Sequence, residues 1–313
     1  MDPQALIDRA FKNASTASHQ RKRSKMVKRD VRFMAADEQR ILTASKTIIL
    51  ELQHQMKQSE REFSEFENEL MKTMVDYNQL NKDRKRIATS IRMIGKMERE
   101  YSVRAKFARN ADESNRLRKE FYGRVCSIIK KLSFVETERF ARSLGTLPHI
   151  KKMDTIIICG YPNVGKSQIL SQMSSQKVEV ANYPFTTKDL LMGYVKKGYD
   201  TVQLIDTPGI LDRPMEKRNE IEKKAILALK HLSKNYLFVI DPSEQCSYSL
   251  ESQTSLMHEV RKLFGGNMFV VSTHADCDQK PFKADMNINA LDKNDVEALR
   301  KRILDHFFGW KHG

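Results

Sequence analysis

Apolar residues recur at helical spacing through the first half of the chain. Ile41, Leu42, Ala44, Ile48, Ile49 and Leu52 line one face of a helix. Met71, Met74, Val75, Tyr77 and Leu80 repeat the pattern, followed by Ile87, Ile91, Ile94 and Met97, and then by Leu117, Phe121, Val125, Ile128 and Ile129. Helix breakers are scarce. Pro3 suits a first helical turn, the next proline is Pro148, and only Gly95 and Gly123 precede Gly145. Residues 2–145 are therefore expected to be helical throughout, in a bundle of about four or five long helices. The spacing also suits a coiled coil, but the Asn- and Asp-bearing stretches 78–83 and 110–115 predict turns that fold the helices back.

Residues 144–150, Leu-Gly-Thr-Leu-Pro-His-Ile, supply the glycine and proline that a helix stop needs. Beyond them the texture changes. Short apolar runs at 155–159, 190–196, 201–205, 236–240 and 268–272 alternate with helical stretches, which predicts a doubly wound, mostly parallel sheet. The expected chain is α/β: an all-α helical bundle over 1–150, then a sheet-bearing domain over 151–313.

Composition narrows the function class. Of 313 residues, 40% are hydrophobic and 30% charged, a globular rather than a disordered balance. No run of about eighteen apolar residues occurs, and the opening MDPQALIDRA has no apolar signal region, so neither secretion nor membrane association is expected. Cys126, Cys159, Cys246 and Cys277 are far apart and form no CxxC pair, which points to a reduced, cytoplasmic compartment. The eight histidines show no ligand-like spacing and are read as surface or packing residues. Charge is more telling. The net +15 is concentrated in residues 1–150, where 32 lysines and arginines face 20 acids, a balance of +12 that leaves +3 to the rest. The densest stretch is Arg21, Lys22, Arg23, Lys25, Lys28, Arg29 and Arg32, with Asp30 its only acid. A solvated basic surface is the plain alternative; clustering and a shared sign favour a nucleic-acid contact.

The chemistry lies in the second half. Gly160-Tyr-Pro-Asn-Val-Gly165-Lys166-Ser167 follows an apolar run and precedes a helical stretch, the context that a phosphate-binding P-loop requires. Its glycines let backbone N–H groups wrap an anion, Lys166 reaches the β- and γ-phosphates, and the Ser167 hydroxyl is a magnesium ligand. Asp206-Thr-Pro-Gly209 sits after the next run but one, where Asp206 serves the magnesium ion and the Gly209 N–H the γ-phosphate. Between them, Phe185-Thr186-Thr187-Lys188 offers a switch threonine. Thr187 is preferred over Thr186 for closing on magnesium and the γ-phosphate, and a solvated loop threonine is the plain alternative.

Base selection is expected after the run 268–272, at Thr273-His274-Ala275-Asp276, where the usual pattern is Asn-Lys-x-Asp. Asp276 can accept from N1–H and N2–H of guanine, a donor pair that adenine lacks, and a carboxylate left unpaired by the wrong base is costly. Thr273 can tie the loop to the P-loop through its hydroxyl, and the His274 ring can stack where a lysine stem would lie. In the alternative, Asp276 is an ordinary loop carboxylate and the base is not selected. Asn289-Ala290-Leu291 is placed to offer the Ala290 N–H to guanine O6.

GYPNVGKS, YPFTTK, DTPGILDRPMEKRNEIEKKAILAL and DPSEQCSYSLESQ together resemble the Nog branch of the Obg-related GTPases, the nucleolar GTP-binding proteins and their archaeal relatives. FYGRVCSIIKK at 121–131 and the helical half are also similar, so the likeness spans nearly the whole chain. It implies a P-loop GTPase domain over 151–313 and a nucleotide site drawing on Asn163, Val164, Gly165, Lys166, Ser167, Gln168, Phe185, Thr187, Asp206, Gly209, Thr273, His274, Asp276, Asn289 and Ala290. Lys166, Thr187 and Gly209 would serve catalysis, and Ser167, Thr187 and Asp206 would hold Mg2+. It further implies GTP and GDP as ligands, binding to ribosomal RNA in large-subunit precursors, and a monomer. The end at Gly313, without the long extension of eukaryotic members, favours either an archaeal, cytoplasmic relative or a truncated chain; a eukaryotic member would be nucleolar. Asn163 matches the asparagine with which potassium-activated relatives hold K+.

Ile210 stands where a water-orienting glutamine would follow Gly209, so slow basal hydrolysis is expected unless potassium or a ribosomal partner assists. Arg213 and Arg218 are either charge donors or solvated switch residues. Two competing readings remain: an RNA-binding scaffold with a degenerate nucleotide site, and an ATPase or base-promiscuous NTPase.

Overall fold

The computed structural model describes residues 2–21, 29–57, 62–184, 189–197, 199–207 and 211–309. Six helices precede the sheet: α1 (Pro3–Arg21), α2 (Arg29–Lys57), α3 (Glu65–Met74), α4 (Tyr77–Lys106), α5 (Ala111–Ile129) and α6 (Val135–Leu144). The apolar stripes of α1, α2, α4 and α5 become the core of the bundle. Ile41, Ile48 and Leu52 of α2 are buried with Ile87 and Ile94 of α4 and Phe121 and Val125 of α5. Burying such side chains supplies the main stabilisation of an amphipathic helix, about 1.5–3 kcal/mol each.

The expected turn at 78–83 is corrected: those residues form the opening of α4. Asp76 is its N-cap, and its side chain accepts from the N–H groups of Asn78 and Gln79. Asn and Asp compete for backbone donors, so they mark helix starts as readily as turns; the break lies just upstream. Asn110 caps α5 in the same way through the N–H of Glu113. Contacts group residues 1–62 with 74–145, and residues 63–73 with 146–313, so α3 belongs with the sheet-bearing unit.

In that second unit seven strands form one sheet in the order β2-β3-β4-β1-β5-β6-β7. They are β1 (Thr155–Cys159), β2 (Glu179–Ala181), β3 (Leu190–Lys197), β4 (Asp200–Asp206), β5 (Asn235–Ile240), β6 (Asn267–Ser272) and β7 (Met286–Asn287). β4, β1, β5, β6 and β7 run parallel, while β3 pairs antiparallel with both β2 and β4. The sheet is therefore mostly parallel. Helices α7 (Lys166–Met173), α8 (Glu220–Ala228), α9 (Leu250–Phe264) and α10 (Lys293–Phe308) complete the unit. β1 is buried along its whole length, as a central parallel strand covered on both faces should be.

The register places the site. Ile158 of β1 lies opposite Asp206 of β4, Cys159 opposite Phe238 of β5, and Ile240 of β5 opposite Ser272 of β6. Four neighbouring parallel strands thus deliver Gly160, Asp206, Asp241 and Thr273 to the same carboxyl end of the sheet, where open α/β sheets bind ligands.

Candidate functional site

The loop between β1 and α7 is shaped by its main chain. Gly160 has φ +138°, and a Cβ there would lie 2.3 Å from the carbonyl oxygen of Val239. Asn163 (φ 64°) and Gly165 (φ 97°) also take left-handed conformations. Gly165 is the N-cap of α7, so no side chain caps the first turn of that helix. Uncapped N–H groups at the positive end of a helix dipole attract an anion.

Lys166 is only 6% exposed. Its ammonium donates to the carbonyl of Tyr161 at 2.6 Å, inside the curve of the loop. The Ser167 hydroxyl donates to Asp206 Oδ2 at 2.6 Å. Asp206 is fully buried, and its Oδ1 has no hydrogen-bond partner among the described residues. Burial pushes its carboxyl above the usual range, while Lys166 and Ser167 act to lower it. An orphaned anionic oxygen beside a serine hydroxyl fits a divalent cation. No cluster of three His, Cys, Asp or Glu residues offers another metal site among the described residues.

The next residue anchors the start of the second switch segment. Thr207 is buried, and its hydroxyl donates to the Ile158 carbonyl at 3.1 Å. On the far side, the Gly160 N–H donates to the Leu211 carbonyl at 3.2 Å. Gly209 and Ile210 between them, and Phe185, Thr186 and Thr187 of the first switch segment, lie outside the described residues. Arg218 corrects the sequence expectation. It is neither solvated nor aimed outward but buried, and its guanidinium donates to Asp212 Oδ1 at 3.2 Å and to the Arg213 carbonyl at 3.3 Å.

The loops following β6 and β7 reach the phosphate loop. Thr273 is buried, and its hydroxyl lies 3.0 Å from the Val164 carbonyl and 3.3 Å from that of Ile240. A Cβ on Gly165 would meet Ala290 Cβ at 3.3 Å and Thr273 Cγ2 at 3.6 Å. The Ala290 carbonyl accepts from Gln172 of α7 at 2.9 Å, and the Asn289 N–H donates to Asp295 at 2.7 Å. Val164, Gly165, Thr273 and Ala290, distant in sequence, therefore stand together. Asn163 is exposed on the loop and Gln168 on the first turn of α7.

His274 is half-buried, and its Nδ1 lies 3.1 Å from Asp241 Oδ1. Asp276 is exposed in the same turn. Asp241, Gln253 and Gln279 were not singled out from the sequence. Asp241 is buried; burial alone would raise its carboxyl, but hydrogen bonds from Ser243 and Cys246, with His274 nearby, hold it below the usual range. Gln253 of α9 bonds both main-chain groups of Asp241, and Gln279 donates to the carbonyls of Thr273 and His274. A lone aspartate after an apolar strand carries no such signal, although it opens the DPSEQCSYSLESQ segment.

In the helical unit, a cleft of about 620 Å³ lies beside α4 and the end of α5, with Lys85, Arg86 and Lys131 at its walls and Met93, Ile128 and Leu132 lining it. No carboxylate among the described residues lines it. Of the densest basic stretch, residues 22–28 lie outside the described residues, while Arg29 and Arg32 stand on α2. No helix among the described residues is long and apolar enough to cross a membrane.

The chain is similar to known proteins. Residues 1–151 match the family described as the NOG1 N-terminal helical domain, and residues 155–273 the family described as 50S ribosome-binding GTPase. An uncharacterised protein of Methanocaldococcus jannaschii is 38% identical over 220 residues, covering 69% of this chain and 61% of that protein. Nucleolar GTP-binding protein 1 of Kluyveromyces lactis is 34% identical over 243 residues, covering 77% of this chain and 36% of that protein. The chain thus spans about three fifths and about a third of the lengths of these two relatives. A solved structure described as nucleolar GTP-binding protein 1 from Plasmodium falciparum is 28% identical and covers 51% of this chain and 91% of that one, with a TM-score of 0.43. A matched helical domain followed in order by a matched GTPase domain decides the assignment: the chain belongs to the Nog-type GTPases, the family of the nucleolar GTP-binding proteins.

Proposed function

We propose that this protein binds and hydrolyses GTP as a two-state switch and associates with ribosomal RNA in precursors of the large ribosomal subunit. One observation carries the nucleotide reading. Lys166, Ser167 and Asp206 converge at the carboxyl end of the sheet, and the Thr273 and Ala290 loops close on Gly165 beside them.

Each residue then has a task. Main-chain N–H groups of residues 163–167 surround the β-phosphate, and Lys166 exchanges the Tyr161 carbonyl for phosphate oxygens. Ser167 and Asp206, with Thr187, would hold Mg2+, which would offset the charge of the phosphates. Thr187 and Gly209 respond to the γ-phosphate, so triphosphate and diphosphate select different switch states. Asp276 takes the guanine edge, and Ala290 its O6. Ile210 cannot orient a water, so turnover is slow until a partner, or K+ held at Asn163, assists. The cationic helical unit, with its Lys85, Arg86 and Lys131 cleft, supports an RNA contact through the phosphate backbone.

Calorimetric titration with GDP, GTP and ATP analogues in the presence of Mg2+ tests the reading. Guanine nucleotides should bind, ATP should bind far more weakly, and Lys166→Ala should remove uptake. Wild-type affinity in that variant would overturn the site assignment. Ile210 and His274 favour a second reading, an RNA-binding scaffold with a degenerate nucleotide site. It predicts no GTP turnover with or without potassium.

A further inference from the structure

The base loop departs from the usual Asn-Lys-x-Asp at its second position, and the structure gives His274 a partner that a lysine stem laid along a base would not need. His274 has φ 54°, a left-handed conformation uncommon for residues other than glycine. Such backbone is retained only where its surroundings over-determine it. Here they do. The His274 carbonyl accepts from the Cys277 N–H at 3.0 Å and from Gln279 Nε2 at 2.9 Å, and Gln279 also reaches the Thr273 carbonyl at 2.8 Å. The Ala275 N–H donates to the Ile288 carbonyl at 3.2 Å, and the ring adds a further contact, its Nδ1 lying 3.1 Å from Asp241 Oδ1.

We propose that Asp241 and His274 form a positioning pair that fixes the base loop against the phosphate loop and thereby sets the discrimination of guanine from adenine. It rests on reading residues 273–276 as the base loop of the GTP site. Asp241 is built to be an acceptor. Its Oδ1 takes hydrogen bonds from the Ser243 N–H at 3.0 Å and the Ser243 hydroxyl at 2.5 Å, and its Oδ2 takes one from the Cys246 N–H at 2.8 Å. A proton on Nδ1 of the imidazole suits that acceptor, so the proposal assigns the ring the Nδ1–H tautomer. The adjoining Thr273 hydroxyl lies 3.2 Å from that Nδ1 and 3.0 Å from the Val164 carbonyl. A continuous polar path thus runs from Asp241 through His274 and Thr273 to the loop that wraps the phosphates. Asp276 follows two residues later in the same turn. Its contact with the guanine edge depends on that turn being held, because a misplacement of about 1 Å can cost roughly a hundredfold.

Three substitutions separate positioning from bulk. In His274→Asn the amide nitrogen can occupy the place of Nδ1, and asparagine tolerates positive φ. His274→Gln carries its amide further out, toward the position of Nε2, and His274→Ala carries none. The Asn variant should keep the GTP affinity and the GTP-to-ATP preference of the wild type. The Ala and Gln variants should lose roughly tenfold in GTP affinity, the scale of one hydrogen bond to a charged group, with ATP affinity unchanged. The ring is 30% exposed, so thermal melts of all three should stay close to wild type. Nitrogen-15 spectra of the wild-type imidazole should report the Nδ1–H tautomer.

Unaltered GTP affinity in His274→Ala, equal losses in the Asn and Gln variants, or an Nε2–H tautomer would each overturn the pair. If the wild type binds guanine nucleotide while His274→Ala is unchanged, this proposal alone fails. If the wild type takes up no guanine nucleotide, the GTP reading fails and the proposal falls with it.

Discussion

The carboxyl end of the sheet and the interior of the helical bundle solve different problems with the same chain. At the sheet end, main-chain angles that side chains rarely adopt occur at Gly160, Asn163, Gly165 and His274, and polar groups are buried at Lys166, Asp206, Asp241 and Thr273. In the bundle, Ile41, Ile48, Ile87, Phe121 and Val125 are buried as plain apolar packing. Its most buried ion pairs tie Asp37 to Arg40 at 3.0 Å and to Arg118 at 2.9 Å. One region concentrates its chemistry in a few atoms whose positions admit little change. The other is apolar inside and carries its many charges on the exterior.

The sharpest way to break that contrast is to make one substitution in both regions. Gly160→Ala sets a Cβ 2.3 Å from the Val239 carbonyl oxygen, at φ +138°. The obstacle is backbone inside the sheet, which cannot step aside, so the expected cost is about 4 kcal/mol or more, with nucleotide uptake lost. Denaturant titration and calorimetry read the two effects. A variant that unfolds at the wild-type midpoint and still binds GTP would show that the phosphate loop is as tolerant as the bundle.

Gly123→Ala is the counterpart. Gly123 lies within α5, and a Cβ there meets nothing within 4 Å. Alanine should stabilise the protein by about 0.5–1 kcal/mol, because glycine gives up more backbone freedom on forming a helix. Nucleotide affinity should not move. Destabilisation at this position would mean that the bundle, too, constrains its surface through close contacts.

The same contrast explains what could be read from sequence. Helical spacing announced the stripes of α2, α4 and α5, because each apolar position reports its own burial. The phosphate loop was legible because its glycines, lysine and serine are adjacent in the chain. Where geometry joins distant segments, the sequence was silent. Asp241 gains its meaning only from His274 across the neighbouring strand end, and Gln279 only from the two carbonyls it clamps. β2 and β7, of three and two residues, are too short to show alternation and exist by pairing with β3 and β6. Asn78 and Asp83 suggested a turn because the same side chains serve turns and helix starts, and only the cap at Asp76 distinguishes the two.

The smallest expected effect concerns the spread-out charge. Lys85, Arg86 and Lys131 border the cleft in the helical unit, with no carboxylate among the described lining residues. If RNA phosphates lie there, replacing all three with alanine should leave stability within about 0.5 kcal/mol, since exposed side chains contribute little to folding. GTP uptake should be unchanged. What should change is the salt dependence of RNA affinity. Each phosphate contact contributes about 0.7 to 0.9 to the slope of log affinity against log salt, so the triple variant should flatten it by about 2 to 3. Single substitutions should each shift it by about 1, roughly additively and irrespective of RNA sequence. An unchanged slope would remove the cleft as an RNA contact while leaving the nucleotide site untouched. A collapse of binding after one substitution would be the more instructive failure, since it would mean that the helical unit also depends on a few precisely held groups.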